Sequence, residues 1–186
     1  MSILIGGGQE YYGPTAARDK CVVKYAAQIL RDSDLDLQVV TGGTAGIPDD
    51  FAKIYSTGGR VVDIVSSEYL STYKERTQAI PRPYWVAGET QMKRRLAFLS
   101  NPDIKIALFI QGGKYTAHEI KLFKESGRKV VVFTGSGGAS GGNIDYEGWR
   151  CLPQKHCNRP YDSCDPDADP LEIARDLVQH ITELMQ

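Results

Sequence analysis

Four stretches of this 186-residue chain place glycine where a β-strand pattern ends: Gly6-Gly7-Gly8, Gly42-Gly43-Thr44-Ala45-Gly46, Gly112-Gly113, and the run from Gly135 to Gly142. Glycine lets backbone N–H groups come close to an anion, and a helix N-terminus adds the positive end of its dipole. One such glycine reads as a tight turn. Four on the edge where open α/β sheets take their ligands read as the site of a phosphate-bearing ligand. The third stretch runs on as Gln111-Gly112-Gly113-Lys114-Tyr115-Thr116-Ala117-His118-Glu119, and Met92-Lys93-Arg94-Arg95 lies in the helical pattern before it. On a wheel of ~100° per residue, Glu119 falls ~70° from the stripe of Ile120 and Phe123, and Arg95 ~70° from the stripe of Met92, Leu96 and Leu99. Glu119 is thus the candidate acid and Arg95, rather than Arg94, its candidate cation. Two plainer readings stay open. Thr116-x-x-Glu119 is also a capping box, and Arg95 also suits a surface cation lying along the edge of the core.

Known nucleotide fingerprints narrow the ligand by their failures. Gly6-Gly7-Gly8-Gln9-Glu10-Tyr11 lacks the third glycine of G-x-G-x-x-G, and the second strand ends in Thr41-Gly42 where a ribose-binding acid is required, which disfavours NAD as a redox cofactor. Gly113-Lys114-Tyr115 is not a P-loop, because position 115 is neither Ser nor Thr and position 108 is Leu. Tyr11 and Tyr12 follow the first strand on the ligand edge; stacking on a base is open to them, with packing the preferred reading. His118 falls on the solvent side of the same wheel and takes no role.

These residues need elements to position them. Ile3 to Ile5, Leu37 to Val40, Arg60 to Val65, Tyr84 to Val86, Ile104 to Ile110 and Lys129 to Phe133 read as strands, several apolar throughout as strands buried on both faces are. Helical patterns fill Pro14 to Arg31, with Pro14 in the first turn, then Pro48 to Thr57, Gly88 to Ser100 and Thr116 to Ser126. A last helix, Pro170 to Met185, has Asp169 as N-cap and Ile173, Leu177, Ile181 and Leu184 on one face. The order predicts a doubly wound α/β fold, Rossmann-like: one mainly parallel sheet flanked by helices in a single domain spanning residues 1–186. Residues at about 150–169 read as an irregular Cys/Pro-rich excursion ahead of the C-terminal packing helix.

Composition limits the partners. With 22 Lys+Arg against 23 Asp+Glu the formal net charge is −1, which argues against nucleic acid as the main partner. No apolar run approaches the ~20 residues that span a bilayer, and Met1 to Ile5 enters glycine without a basic leader or cleavage site, so a cytoplasmic protein with no membrane partner is expected. Four cysteines are too sparse for a secreted disulfide framework. Cys151, His156, Cys157 and Cys164 are ligand types, yet their C-x4-H-C-x6-C spacing does not suit structural zinc, and no metal is assigned.

Taken together, Gln111 to Glu119, Met92 to Arg95 and Thr41 to Gly46 resemble the LONELY GUY family, cytokinin-riboside-monophosphate phosphoribohydrolases often labelled lysine decarboxylases. The hallmark P-G-G-x-G-T-x-x-E is matched by Gln111 to Glu119, M-x-x-R by Met92 to Arg95, and G-G-G-x-x-G by Thr41 to Gly46, with similarity from about Ile3 to Phe133. The resemblance implies that Glu119 and Arg95 form a catalytic pair. It further implies that Gly8, Gly43, Thr44, Met92, Gly112, Gly113, Lys114, Tyr115 and Thr116 hold the substrate and its 5′-phosphate. The implied reaction cleaves the N-glycosidic bond of a nucleoside 5′-monophosphate, giving free base and ribose 5-phosphate, with no cofactor and in a homodimer or larger homo-oligomer. The chain departs from the pattern at Gln111, in place of proline, at Tyr115, in place of glycine, and at Leu96, in place of lysine. The other reading carried forward is a non-catalytic binder, carrier or sensor of a nucleotide-like ligand.

Overall fold

The structure is a computed structural model that describes residues 1–64, 81–83, 101–140, 145–146, 149–150 and 165–186. Strand β1 (Ser2–Gly7) leads into helix α1 (Ala16–Asp32), β2 (Gln38–Thr41) into α2 (Ile47–Tyr55), and β3 (Val62–Ile64) and β4 (Pro81–Pro83) follow. Then come β5 (Ile104–Ile110), α3 (Lys114–Glu125), β6 (Lys129–Phe133) with a short 3-10 turn at Thr134–Ser136, β7 (Asp145–Tyr146), β8 (Trp149–Arg150) and α4 (Pro170–Met185). Six strands form one sheet in the order β4-β3-β2-β1-β5-β6, and every neighbouring pair in it is parallel. β7 and β8 form a separate antiparallel pair.

This order places a switch point between β1 and β5. The chain steps outward from β1 through β4, then returns to lay β5 on the other side of β1. The connections after β1 and β5 therefore leave the sheet in opposite directions, opening a crevice at the carboxyl ends of these two strands. Alternation along the strands serves both faces. Ile3, Ile5, Ile106, Leu108, Val131 and Phe133 belong to the larger core, with Val22 and Ala26 of α1, Phe51 of α2 and Leu177 of α4. Leu4, Ala107, Phe109 and Val132 belong to the smaller core, where α3 contributes Ile120 and Phe123. Helices on both faces make the sheet doubly wound.

The strands Ile104–Ile110 and Lys129–Phe133 have the bounds their apolar runs predict, as has Pro170–Met185 with Asp169 Oδ1 accepting from the Leu171 N–H at 2.9 Å. β1, β2, β3 and α2 differ from their expected bounds by one or two residues at an end, and three other differences have a local cause. Helix α1 starts at Ala16, beyond Pro14, because Thr15 stands at the cap and turns its hydroxyl onto Asp19. The outer strand is Pro81–Pro83, ahead of the expected Tyr84 to Val86, which lies outside the described residues; at the sheet margin, proline's missing N–H costs no ladder bond. Helix α3 starts at Lys114 with Gly113 as cap, not at the expected Thr116, which sits inside the first turn, and the capping box left open by the sequence is not the one used. The helical pattern at Gly88 to Ser100 lies outside the described residues, as do Cys151, His156, Cys157 and Cys164.

Candidate functional site

Since β1, β2, β5 and β6 run parallel in register, the turns after Gly7, Thr41, Ile110 and Phe133 all leave one edge of the sheet. They also touch. The Gly8 N–H donates to the Ile110 carbonyl at 3.3 Å, and the Gly8 carbonyl accepts from the Ile47 N–H at 3.0 Å, so one residue ties the end of β5 to the start of α2. At Gly46, φ is 86°, and an added Cβ would lie 2.2 Å from the Gln9 carbonyl oxygen. At Gly112, φ is 98°, and a Cβ would lie 2.3 Å from Thr116 Oγ1. Both positions need glycine because backbone packs directly on its neighbours there.

The mouth of α3 is prepared in a particular way. The Gln111 carbonyl accepts from the Ser140 N–H at 3.2 Å and the Ser140 hydroxyl at 2.9 Å. The Gly112 carbonyl accepts from the Ala139 N–H at 2.8 Å and the Tyr12 hydroxyl at 2.5 Å. Both carbonyls are thus held by other loops. By contrast, the N–H groups of Gly112, Gly113, Lys114 and Thr116 have no acceptor among the described residues, and Gly113 and Lys114 are exposed. Unpaired donors at a helix start are what an anion requires, and those of the exposed Gly113 and Lys114 face solvent while Gly112 and Thr116 are buried.

Charge distinguishes this helix from its neighbours. The first turn of α1 holds Asp19 and that of α2 holds Asp49 and Asp50, whereas α3 has no acid there and opens with Lys114. Carboxylates already complement the first two dipoles and would repel a phosphate; α3 is left positive.

Beneath the mouth lies a buried polar cluster. Arg18 Nη2 pairs with Asp19 Oδ1 at 2.7 Å, both side chains sealed from solvent, and the guanidinium also donates to the carbonyls of Gly135 and Asp165 and stacks on the Phe133 ring. Asp19 Oδ2 accepts from the Thr15 hydroxyl at 2.9 Å and from Gln111 Nε2 at 2.8 Å. Gln111 is fully buried, with φ at 53°, and its N–H donates to Ser136 Oγ at 2.9 Å. Its amide grips Tyr12 at both ends: Oε1 accepts from the Tyr12 N–H and Nε2 donates to the Tyr12 carbonyl, each at 3.2 Å. A left-handed glutamine is sterically costly, and it persists here because these bonds over-determine it.

Of the residues the sequence points to, Gly8, Gly43, Thr44, Gly112, Gly113, Lys114, Tyr115 and Thr116 sit on three of the four turns or in the first turn of α3. Gly43 is buried, its N–H donating to Thr41 Oγ1 at 3.1 Å, and Thr44 is half-buried. The Thr116 hydroxyl faces the Gly7 carbonyl at 3.4 Å. Glu119 is half-buried, five residues beyond Lys114 and so about one and a half turns along α3. His118 is half-buried too, correcting its expected place on the solvent face. Met92 and Arg95 lie outside the described residues.

The cluster of Arg18, Asp19 and Gln111 escaped sequence reasoning, although one signal was present. Arg18 and Asp19 stand one turn before Val22 and Val23 on the face that continues through Ala26 and Leu30, so two charges occupy an apolar stripe. Among the described residues no group of three or more His, Cys, Asp or Glu could hold a metal ion, and no helix is long and apolar enough to cross a membrane.

The X-ray structure of TM1055, a structural genomics target, is similar to this chain with a TM-score of 0.60 at 19% identity, over 79% of this chain and 83% of that one. That likeness shows the fold. No protein-family model matches the sequence, and no curated protein matches it.

Proposed function

We propose that the chain is a hydrolase that cleaves the N-glycosidic bond of a nucleoside 5′-monophosphate. One observation carries this reading: α3 opens into the switch-point crevice with its neighbouring carbonyls tied back, its first amides open and no acid in its first turn. The 5′-phosphate would rest on the amides of Gly112, Gly113, Lys114 and Thr116 beside the Lys114 ammonium. Binding there is remote from the breaking bond, so it contributes positioning energy. Glu119, farther along the same helix, would face the ribose, stabilise the positive charge growing at C1′ and take a proton from the attacking water. The C1′–N bond breaks, the water oxygen joins C1′, and the proton that Glu119 took from the water passes to the base nitrogen, so that one water is consumed and the carboxylate is restored.

The resemblance supplies the remaining parts of the proposal. Arg95 would keep Glu119 ionised and orient the substrate, since a guanidinium stays charged at ordinary pH and cannot act as a base. Met92 would line the substrate site. The protein would work without cofactor, in the cytoplasm, as a homodimer or larger assembly.

The test is incubation with a panel of nucleoside 5′-monophosphates while released base and ribose 5-phosphate are assayed. Release from at least one, reduced about 100-fold or more by Glu119→Gln, is expected. Glutamine keeps the size and the acceptor oxygen of the side chain, so a melt that matches the unchanged protein is expected and would separate lost chemistry from lost fold. Tight binding with no release would favour a carrier or sensor instead, and neither binding nor release would end the proposal.

A further inference from the structure

Among the described residues the large apolar side chains that stand exposed are Met1, Tyr12 at 41% and Tyr115 at 47%, and both tyrosines border the mouth of α3. Both rings stand partly in solvent, although Tyr12 also serves the fold, its hydroxyl meeting the Gly112 carbonyl. Tyr115 is the second residue of α3, where a small or acidic residue suits a helix start better, and helical side chains lean toward the N-terminus, here toward the mouth. The Lys114 ammonium lies 5.1 Å from the centre of its ring. Tyr12 is held at three points: the N–H and carbonyl on the Gln111 amide, the hydroxyl on the Gly112 carbonyl. A ring fixed this way loses little freedom when something stacks on it, and tyrosine supplies a broad apolar face at small entropic cost.

We infer that Tyr115 and Tyr12 form an aromatic rim that takes the planar ring of the ligand, so that the site selects phosphorylated compounds bearing an aromatic base over sugar phosphates alone. The inference rests on the phosphate reading above and deepens it. Tyr115 occupies the position where glycine is expected by resemblance, so the rim belongs to this chain's own residues. The anion sets the position; the rings set the class of ligand.

Affinities of adenosine 5′-monophosphate and ribose 5-phosphate are compared by calorimetry on the full chain carrying Glu119→Gln, which prevents turnover. The nucleotide should bind about tenfold tighter or more than the sugar phosphate. Tyr115→Ala should bring that ratio toward one, while Tyr115→Phe, which keeps the ring, should preserve it. Equal affinity for the two probes in the chain with both tyrosines, or a ratio untouched by Tyr115→Ala, would overturn the aromatic rim and leave the phosphate site standing. Failure of ribose 5-phosphate to bind at all would overturn the phosphate site and the rim with it.

Discussion

Gln111 donates through Nε2 to Asp19 Oδ2 at 2.8 Å, joining the end of β5 to the first turn of α1 across 92 residues of sequence. Through this bond the loop that opens α3 is anchored to a buried ion pair, and the same amide fixes Tyr12 at the rim. The crevice is therefore shaped by a polar cluster that no ligand needs to touch.

Replacing Gln111 tests how the loop is held. Gln111→Ala removes the bonds to Tyr12 and Asp19 and keeps the left-handed strain, which should cost about 2 kcal/mol. Gln111→Gly loses the same bonds but relieves the strain, so it should cost less. Gln111→Pro should cost most, since proline holds φ near about −65°, far from the 53° found here, and lacks the N–H that Ser136 accepts. Urea midpoints would rank the three, and a proline variant as stable as the glycine one would contradict the backbone assignment.

Arg18→Met should destabilise by roughly 3–5 kcal/mol, because it leaves the Asp19 carboxylate buried without its counter-charge. Adding Asp19→Asn to that variant removes the stranded charge while keeping an oxygen acceptor for Thr15 and Gln111, and should recover much of the loss. Thermal melts of the single and double variants decide. No recovery would mean that packing of the guanidinium on Phe133, rather than charge, dominates.

Lys114→Glu should separate stability from binding. An acid in the first turn of α3 complements the dipole and should add about 0.3–1 kcal/mol to stability, while the same charge should weaken phosphate binding by about tenfold or more at low salt. Calorimetric titration with inorganic phosphate, alongside a melt, reads both effects. Unchanged phosphate affinity would remove the α3 mouth as the anion site.

Alkaline pH should unfold the protein in a way traceable to its tyrosines. Burial, with the Asp50 carboxylate adding to it, raises Tyr11 well above the ordinary 10.0. Burial likewise raises Tyr12 and Tyr55. Each phenol holds its proton more tightly folded than unfolded, so its stabilisation is complete below 10.0 and falls away as pH rises beyond it. Melting temperature should be flat up to about pH 9.5 and fall steeply above it, with a shallower fall in Tyr11→Phe. Equal slopes in the two proteins would contradict the assignment to Tyr11.

Much of the frame is legible along the chain. The apolar runs of β5 and β6, the Asp169 cap of α4 and the glycines at strand ends are local patterns, and local patterns specify local elements. Their alternation restricts the topology to a parallel sheet, and a parallel sheet sends those glycines to one edge. The bounds of α3 were less legible. Thr116-x-x-Glu119 has the look of a helix start, but backbone contact with the 134–140 loop sets the cap at Gly113, where Gly112 delivers its carbonyl to Ala139 and Tyr12.

By itself, then, the sequence determined the α/β order, the strands that carry the sheet, and the candidate acid and glycines placed along it. Only the tertiary structure decided that Arg18 and Asp19 are buried as a pair, that Gln111 adopts a left-handed backbone, and that the carbonyls at the mouth of α3 turn away while its amides stay open. The reason is one of range. Hydrophobic periodicity is read within a turn or two, whereas Gln111 meets Tyr12 from 99 residues away, and a bond of that reach exists only after the sheet has brought β1 and β5 side by side.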